Sequence, residues 1–146
     1  MSINKYILKI FFIAIVSLVA AGCAANRELN VKEPWARPGT VGGNSAVYFT
    51  IDNPAGQPDT LLAAEGDIAG QVEIHRSTTS ADGVMMMQEQ ADVPVPARST
   101  VAFAPGGLHI MLVGLTQDLG GGDMFTLRLR FAEAGEISVI VPVEDR

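Results

Sequence analysis

From residue 31 onward the chain never sustains the 3.6-residue rhythm of a helix; its apolar residues alternate in short runs. Met124–Phe131 (MFTLRLRF) alternates almost perfectly, with Phe125, Leu127, Leu129 and Phe131 on one side and Arg128 and Arg130 on the other. Successive side chains of a strand point to opposite faces, so such a run offers one face to a core and one to water. Ser45–Asn53 is dense in β-branched and aromatic residues and stops at Asn53-Pro54. Gln71–Arg76 sets Val72 and Ile74 against Glu73 and His75, and Leu108–Leu115 sets Leu108, Ile110 and Leu112 against His109, Met111 and Val113. Asp59–Glu65, Val84–Glu89, Ser99–Ala104 and Glu136–Val143 complete the pattern, after a first strand at Val31–Arg37 that Pro34 consigns to an edge. Trp35 on that strand is a core or rim anchor. Val93–Pro96 is extended but poorly paired. The 15 glycines and 8 prolines fall at turn spacing. About nine short strands with such turns predict an all-β domain, a Greek-key sandwich or barrel.

The N-terminus has a different grammar. Lys5 and Lys9 form a short basic region, and Ile10 to Ala21 is apolar apart from Ser17. That run is too short for a bilayer span and suits a signal-peptide core. It ends in Ala20-Ala21-Gly22-Cys23, which resembles a bacterial lipobox with the only cysteine of the chain at the lipidated position. The expected organisation is a lipoprotein signal peptide over 1–22, a lipidated Cys23 and tether over 23–30, and one functional domain over 31–146. The alternative is an incidental cysteine beside an ordinary cleavage site. Both make the protein exported, to the extracytoplasmic side of the envelope. They also leave the domain without a disulfide or a thiolate ligand. Loss of Lys5 and Lys9, with no acid lost, takes the formal charge from −6 to −8. An acidic surface of that kind excludes nucleic acid as a partner.

The chemistry is concentrated between His75 and Met111. This stretch holds both histidines of the chain and four of its six methionines: His75, Met85-Met86-Met87, His109 and Met111. Neutral imidazole and thioether are donors for Cu(I), whereas Mg, Ca and Mn select carboxylates and carbonyls. His109 and Met111, at i and i+2, project from one face of their strand about 6.5–7 Å apart along the chain. His75 also points away from its strand's apolar face. With Met87 these residues could form a two-His, two-Met site for one Cu(I) per chain. Thioethers do not titrate, so they stay available in mild acid where imidazoles protonate. Parity puts Met85 and Met87 on one side of their strand and Met86 on the other. Met86 is therefore expected in the core, and Met85 is open between a rim residue and a reserve ligand. Met124 is expected as core filling, and Glu73 as an exposed strand carboxylate rather than a partner of an imidazole.

His75, the Gly83-Val84-Met85-x-Met87 run and Pro105-Gly106-Gly107-x-His109-x-Met111-Leu112 resemble the PCuAC family of periplasmic copper chaperones. Trp35-Ala36-Arg37, the Tyr48–Asn53 strand and Asp59-x-Leu61-Leu62 are similar to that family's N-terminal half. The resemblance runs from Lys32 to Val143. It implies a cupredoxin-like β-barrel or sandwich with ligands at His75, Met87, His109 and Met111. The 21 residues between Met87 and His109 match the family pattern, whereas 11 separate His75 from Met87 where the family usually has ten. The extra residue fits the Ser77–Asp82 turn; keeping the ten-residue gap would make Met86 the ligand and the next gap too long. Ser77 stands where the family often has a second methionine, and the His/Met-rich tail of some members is absent from Val143-Glu144-Asp145-Arg146. The resemblance further implies delivery of copper to the binuclear copper centre of a cytochrome c oxidase, alone or alongside a thioredoxin-like assembly factor.

Such a protein is a carrier, not an enzyme. Its rival is a metal-free β-sandwich lipoprotein acting as an adhesion or assembly module. A blue-copper electron carrier would need a Cys thiolate, and a hydrolase would need motifs this chain lacks.

Overall fold

The computed structural model describes residues 28–146, which form ten strands in two sheets. The leader, Cys23 and most of the tether lie outside the described residues. Strands β1 (Asn30–Ala36), β2 (Asn44–Asn53), β4 (Ala69–Thr79), β5 (Met85–Glu89), β7 (Ser99–Phe103) and β8 (Leu108–Leu115) make one sheet, ordered β1-β2-β7-β8-β4-β5 with β2 also paired to β8. The second sheet, β10-β9-β3-β6, consists of β3 (Asp59–Glu65), β6 (Val93–Val95), β9 (Met124–Phe131) and β10 (Glu136–Pro142). The all-β cupredoxin-like expectation holds in its sandwich form; the sheets do not close into a barrel.

The count of strands is ten rather than about nine, because Val93–Val95 is a paired strand. It joins β3 through Leu61↔Val93 and Asp59↔Val95, with Val93 and Val95 buried and Pro94 exposed between them. Proline is tolerated there because β6 is a sheet edge. Pro34 likewise lies on edge strand β1, where a bulge between Lys32 and Trp35 places Glu33 at a φ of 51°. The strand at Gln71–Arg76 is longer than expected. Ser77, Thr78 and Thr79 pair with Met87, Met86 and Met85, so the polar stretch becomes a turn only after Thr79.

Each sheet turns its apolar parity inward. Val47, Ile51, Ile110 and Leu112 of the first sheet meet Leu61, Leu127, Leu129 and Val141 of the second, all at 0 % exposure. Such interdigitated inner faces are what holds two sheets together. At the margin Ala36 bridges Val143, and the Glu144 N–H donates to the Ala36 carbonyl, closing one side of the sandwich.

Strand β2 organises the functional half. Its last residues pair with β7 (Phe49↔Phe103) and its first with β8 (Val47↔Ile110), so β7 and β8 follow one another along it. Between them Ala104–Gly107 makes a turn, closed by the Gly107 N–H on the Ala104 carbonyl and permitted by Gly106 at a φ of 81°. This excursion sits immediately before His109.

Candidate metal centre

The register between β4 and β8 opposes Ile74 to Ile110, His75 to His109 and Glu73 to Met111. Burial of the isoleucine pair, 4 % and 0 % exposed, fixes that register. A slip of β4 by one residue would turn Ile74 to solvent and carry His75 inward. The same register brings the two imidazoles together on the outer face. Their ring centroids are 5.8 Å apart with the planes at 65°. Met111 shares that face and is opposed from β2 by the small Ala46. From the other side β5 contributes Met87, paired with Ser77 and therefore diagonal to His75. All four expected ligands thus occupy one face of one sheet, although they come from three strands.

Hydrogen bonds assign the imidazole tautomers. His75 Nε2 lies 2.8 Å from a Glu73 carboxylate oxygen, and His109 Nδ1 lies 3.1 Å from the Gly107 carbonyl. Both partners can only accept, so in the neutral form of each ring these nitrogens carry the proton and the other nitrogen keeps a lone pair. His109 therefore offers Nε2 and His75 offers Nδ1. Among the described residues His75 Nδ1 is the one buried side-chain polar atom without a hydrogen-bond partner. Leaving such an atom unpaired costs about 1–3 kcal/mol. A soft cation accepting that lone pair would remove the cost, so the donor set fits Cu(I). Among the described residues no group of three His, Cys, Asp or Glu side chains is placed to hold a metal ion.

Met87, His109 and Met111 line an open groove of about 480 Å³, together with Met85, Tyr48 and Pro105. His75 is not in the groove wall; its ring stands against His109. Exposure falls steeply inward, from 55 % at Met87 to 4 % at His109. The flank of His109 is covered by Tyr48, centroid to centroid 6.3 Å, which in turn rests on Trp35 at 4.6 Å. The Arg37 guanidinium lies 5.7 Å from the Tyr48 ring. Trp35 is a buried anchor, and it anchors this wall.

Three expectations are corrected. Met86 is 49 % exposed rather than in the core, because β5 is an edge strand that packs essentially only on β4. Met124 is 70 % exposed, since it holds the outward parity of β9 beside Pro142. Glu73 is not a plain solvated carboxylate; it orients His75. Tyr48 and the Gly107 carbonyl were not foreseen as parts of the centre. The turn signal before His109 was visible, but the destination of its carbonyl was not. Lipidation at Cys23 concerns a residue outside the described ones.

A family profile described as "Putative lipoprotein LpqE-like" matches residues 29–143. A "Putative lipoprotein" of Leifsonia xyli is 27 % identical over 91 % of this chain and 87 % of its own length. An uncharacterized protein of Rickettsia prowazekii is 35 % identical over 82 % of this chain and 68 % of its own. Among solved structures, the copper-bound PCuAC domain from PmoF2 superposes with a TM-score of 0.68 at 26 % identity, over 82 % of this chain and 94 % of that one. The Cu(I) form of DR1885 from Deinococcus radiodurans gives 0.63 at 27 % identity, over 86 % and 85 %.

Proposed function

Since the chain belongs to the LpqE-like family and has PCuAC domains as its structural neighbours, we infer that it is an extracytoplasmic copper chaperone: it binds one Cu(I) and passes it on without turnover. The ligands in this reading are His75 through Nδ1, His109 through Nε2, and the thioethers of Met87 and Met111. The observation that carries it is the unpartnered, buried Nδ1 of His75 beside His109. Glu73 and the Gly107 carbonyl hold the two rings so that their lone pairs are available without a proton having to leave. A copper-binding relative and a Cu(I)-loaded one of the same fold support the choice of cargo.

The lipid anchor at Cys23 would hold the domain at the membrane surface, consistent with relatives named as lipoproteins. The acceptor in this reading is the binuclear copper site of cytochrome c oxidase, reached directly or through a thioredoxin-like assembly factor. Exposed Met87 suits such a handover, because an incoming donor can displace an accessible thioether first.

The test is an anaerobic Cu(I) titration of the purified chain against a chromophoric chelator, with Zn(II) and Cu(II) as controls. One tight Cu(I) equivalent, lost in a His109→Ala/Met111→Leu variant, is the expected result. Failure to compete with the chelator would instead leave a metal-free adhesion or assembly module.

A further inference from the structure

The groove carries one thioether more than the four-ligand set uses. On β5 the parity of the pleat gives Met85 and Met87 one face and Met86 the other. Met85 accordingly lines the groove with Met87, His109 and Met111, and Met86 does not. The soft donors on this face are graded by exposure: Met85 at 65 %, Met87 at 55 %, Met111 half-buried and His109 at 4 %. Across the hairpin Met85 and Met87 oppose Thr79 and Ser77, whose hydroxyl oxygens are poor donors for a soft monovalent ion. At the outer lip of the groove, Met85 is thus the soft donor that an arriving or departing ion would meet first.

We propose that Met85 is a fifth, transient Cu(I) donor that takes the ion at the lip and passes it inward to Met87, Met111 and the imidazoles. The inference rests on the Cu(I)-carrier reading above. Copper stays Cu(I) throughout. Each step forms one copper–donor bond as another is released, and no electron or proton need move. A donor of this kind eases loading and release equally, so it changes the rate of exchange and leaves the equilibrium affinity alone. Met86 is a built-in control, being the same residue type on the same strand at 49 % exposure but on the opposite face.

The experiment uses the full chain as wild type, Met85→Leu, Met86→Leu and Met87→Leu, each loaded anaerobically with Cu(I). Transfer to bicinchoninate is followed by stopped flow, and affinity by equilibrium competition. Met85→Leu should slow transfer about tenfold, within the one to three decades over which association rates vary among variants of one site. Its affinity should stay at the wild-type value, Met86→Leu should change neither, and Met87→Leu should lower the affinity. Methyl NMR of methionine-labelled wild type gives a readout without substitution: the Met85 methyl should shift at substoichiometric Cu(I) while that of Met86 stays put. Wild-type exchange rates in Met85→Leu, or an unmoved Met85 methyl, would overturn the proposal while leaving the carrier reading intact. A wild-type chain that takes up no Cu(I) would overturn both.

Discussion

Asp59 and His75 are polar side chains withdrawn from water at opposite ends of the sandwich, and their surroundings differ in kind. Asp59 is 8 % exposed, and its carboxylate accepts the backbone N–H groups of Thr60, Glu133 and Ala134 at 2.7–2.9 Å. Burial alone would raise its pKa. The backbone hydrogen bonds from Glu133, Thr60, Ala134 and Ala132 outweigh that and hold it below the usual carboxylate range. His75 has one nitrogen satisfied by Glu73 and the other satisfied by nothing. Strand β2 links the two ends, with Asn53 in the acidic groove and Asn44 in the metal groove, about 30 Å apart along nine residues of strand. The acidic groove is the larger, about 680 Å³ against 480 Å³. Three of the four expected copper ligands, Met87, His109 and Met111, line the smaller one. A saturated carboxylate ties β3 to the turn between β9 and β10, whereas His75 keeps one buried nitrogen without a partner.

Substitution separates the two most sharply. Asp59→Ala would strand three backbone donors, and urea denaturation should show a loss of about 3 kcal/mol, at about 1–3 kcal/mol for each donor left buried without a partner and allowing for partial rehydration. Cu(I) affinity should be untouched; a large fall would mean the two ends are coupled. His75→Leu should do the opposite. It removes an unpaired nitrogen, so stability should change by less than about 1 kcal/mol, while Cu(I) affinity falls about a hundredfold or more, roughly 2.7 kcal/mol. Stability lost together with unchanged affinity would make His75 a structural residue like Asp59.

Glu73→Gln keeps the size of the group but lets the amide either donate or accept, so the tautomer of His75 is no longer dictated. Chelator competition should show a fall of about tenfold in affinity, at the lower end of the range for groups that orient metal-bound histidines. The acid limb of stability sharpens the contrast further. Because the folded-state pKa of Asp59 is depressed, its contribution is full above the unfolded value of about 3.9 and is lost as pH falls through the lower folded value. The stability gap between wild type and Asp59→Asn should therefore be flat from neutral pH to about pH 4 and narrow below it. The smallest effect belongs to Met86→Leu, which should leave both affinity and stability near wild type. A Met86→Leu variant that loses copper while Met87→Leu does not would reverse the assignment of faces on β5.

The exposed β5 marks the same division. Full burial of one methionine is worth about 1.5–3 kcal/mol, yet Met85, Met86 and Met87 are all left about half exposed or more. Packing does not explain such a strand, whereas the proposed soft-metal site on one of its faces would account for Met85 and Met87. Nothing in the structure explains Met86.

Alternation within one strand is a property of the chain alone, and it correctly placed Ile110 and Leu112 inward and His109 and Met111 outward. It also put Met85 and Met87 on one face, and the spacing of Gly and Pro gave the turns. So the sequence by itself determined an all-β domain, its inward faces and the kinds of donor available. Four matters were decided only by tertiary contacts. The register of β4 against β8, fixed by burying Ile74 against Ile110, brought two histidines 34 positions apart into ring contact. The edge position of β5, packed on β4 alone, exposed Met86, and the pairing of β6 with β3 made a strand of Val93–Val95. The free lone pairs of His75 and His109 depend on Glu73 and on a backbone carbonyl before β8. The physical reason is the same each time: parity is local, whereas whether a face is covered, and which groups stand across from it, depends on strands far away in the chain.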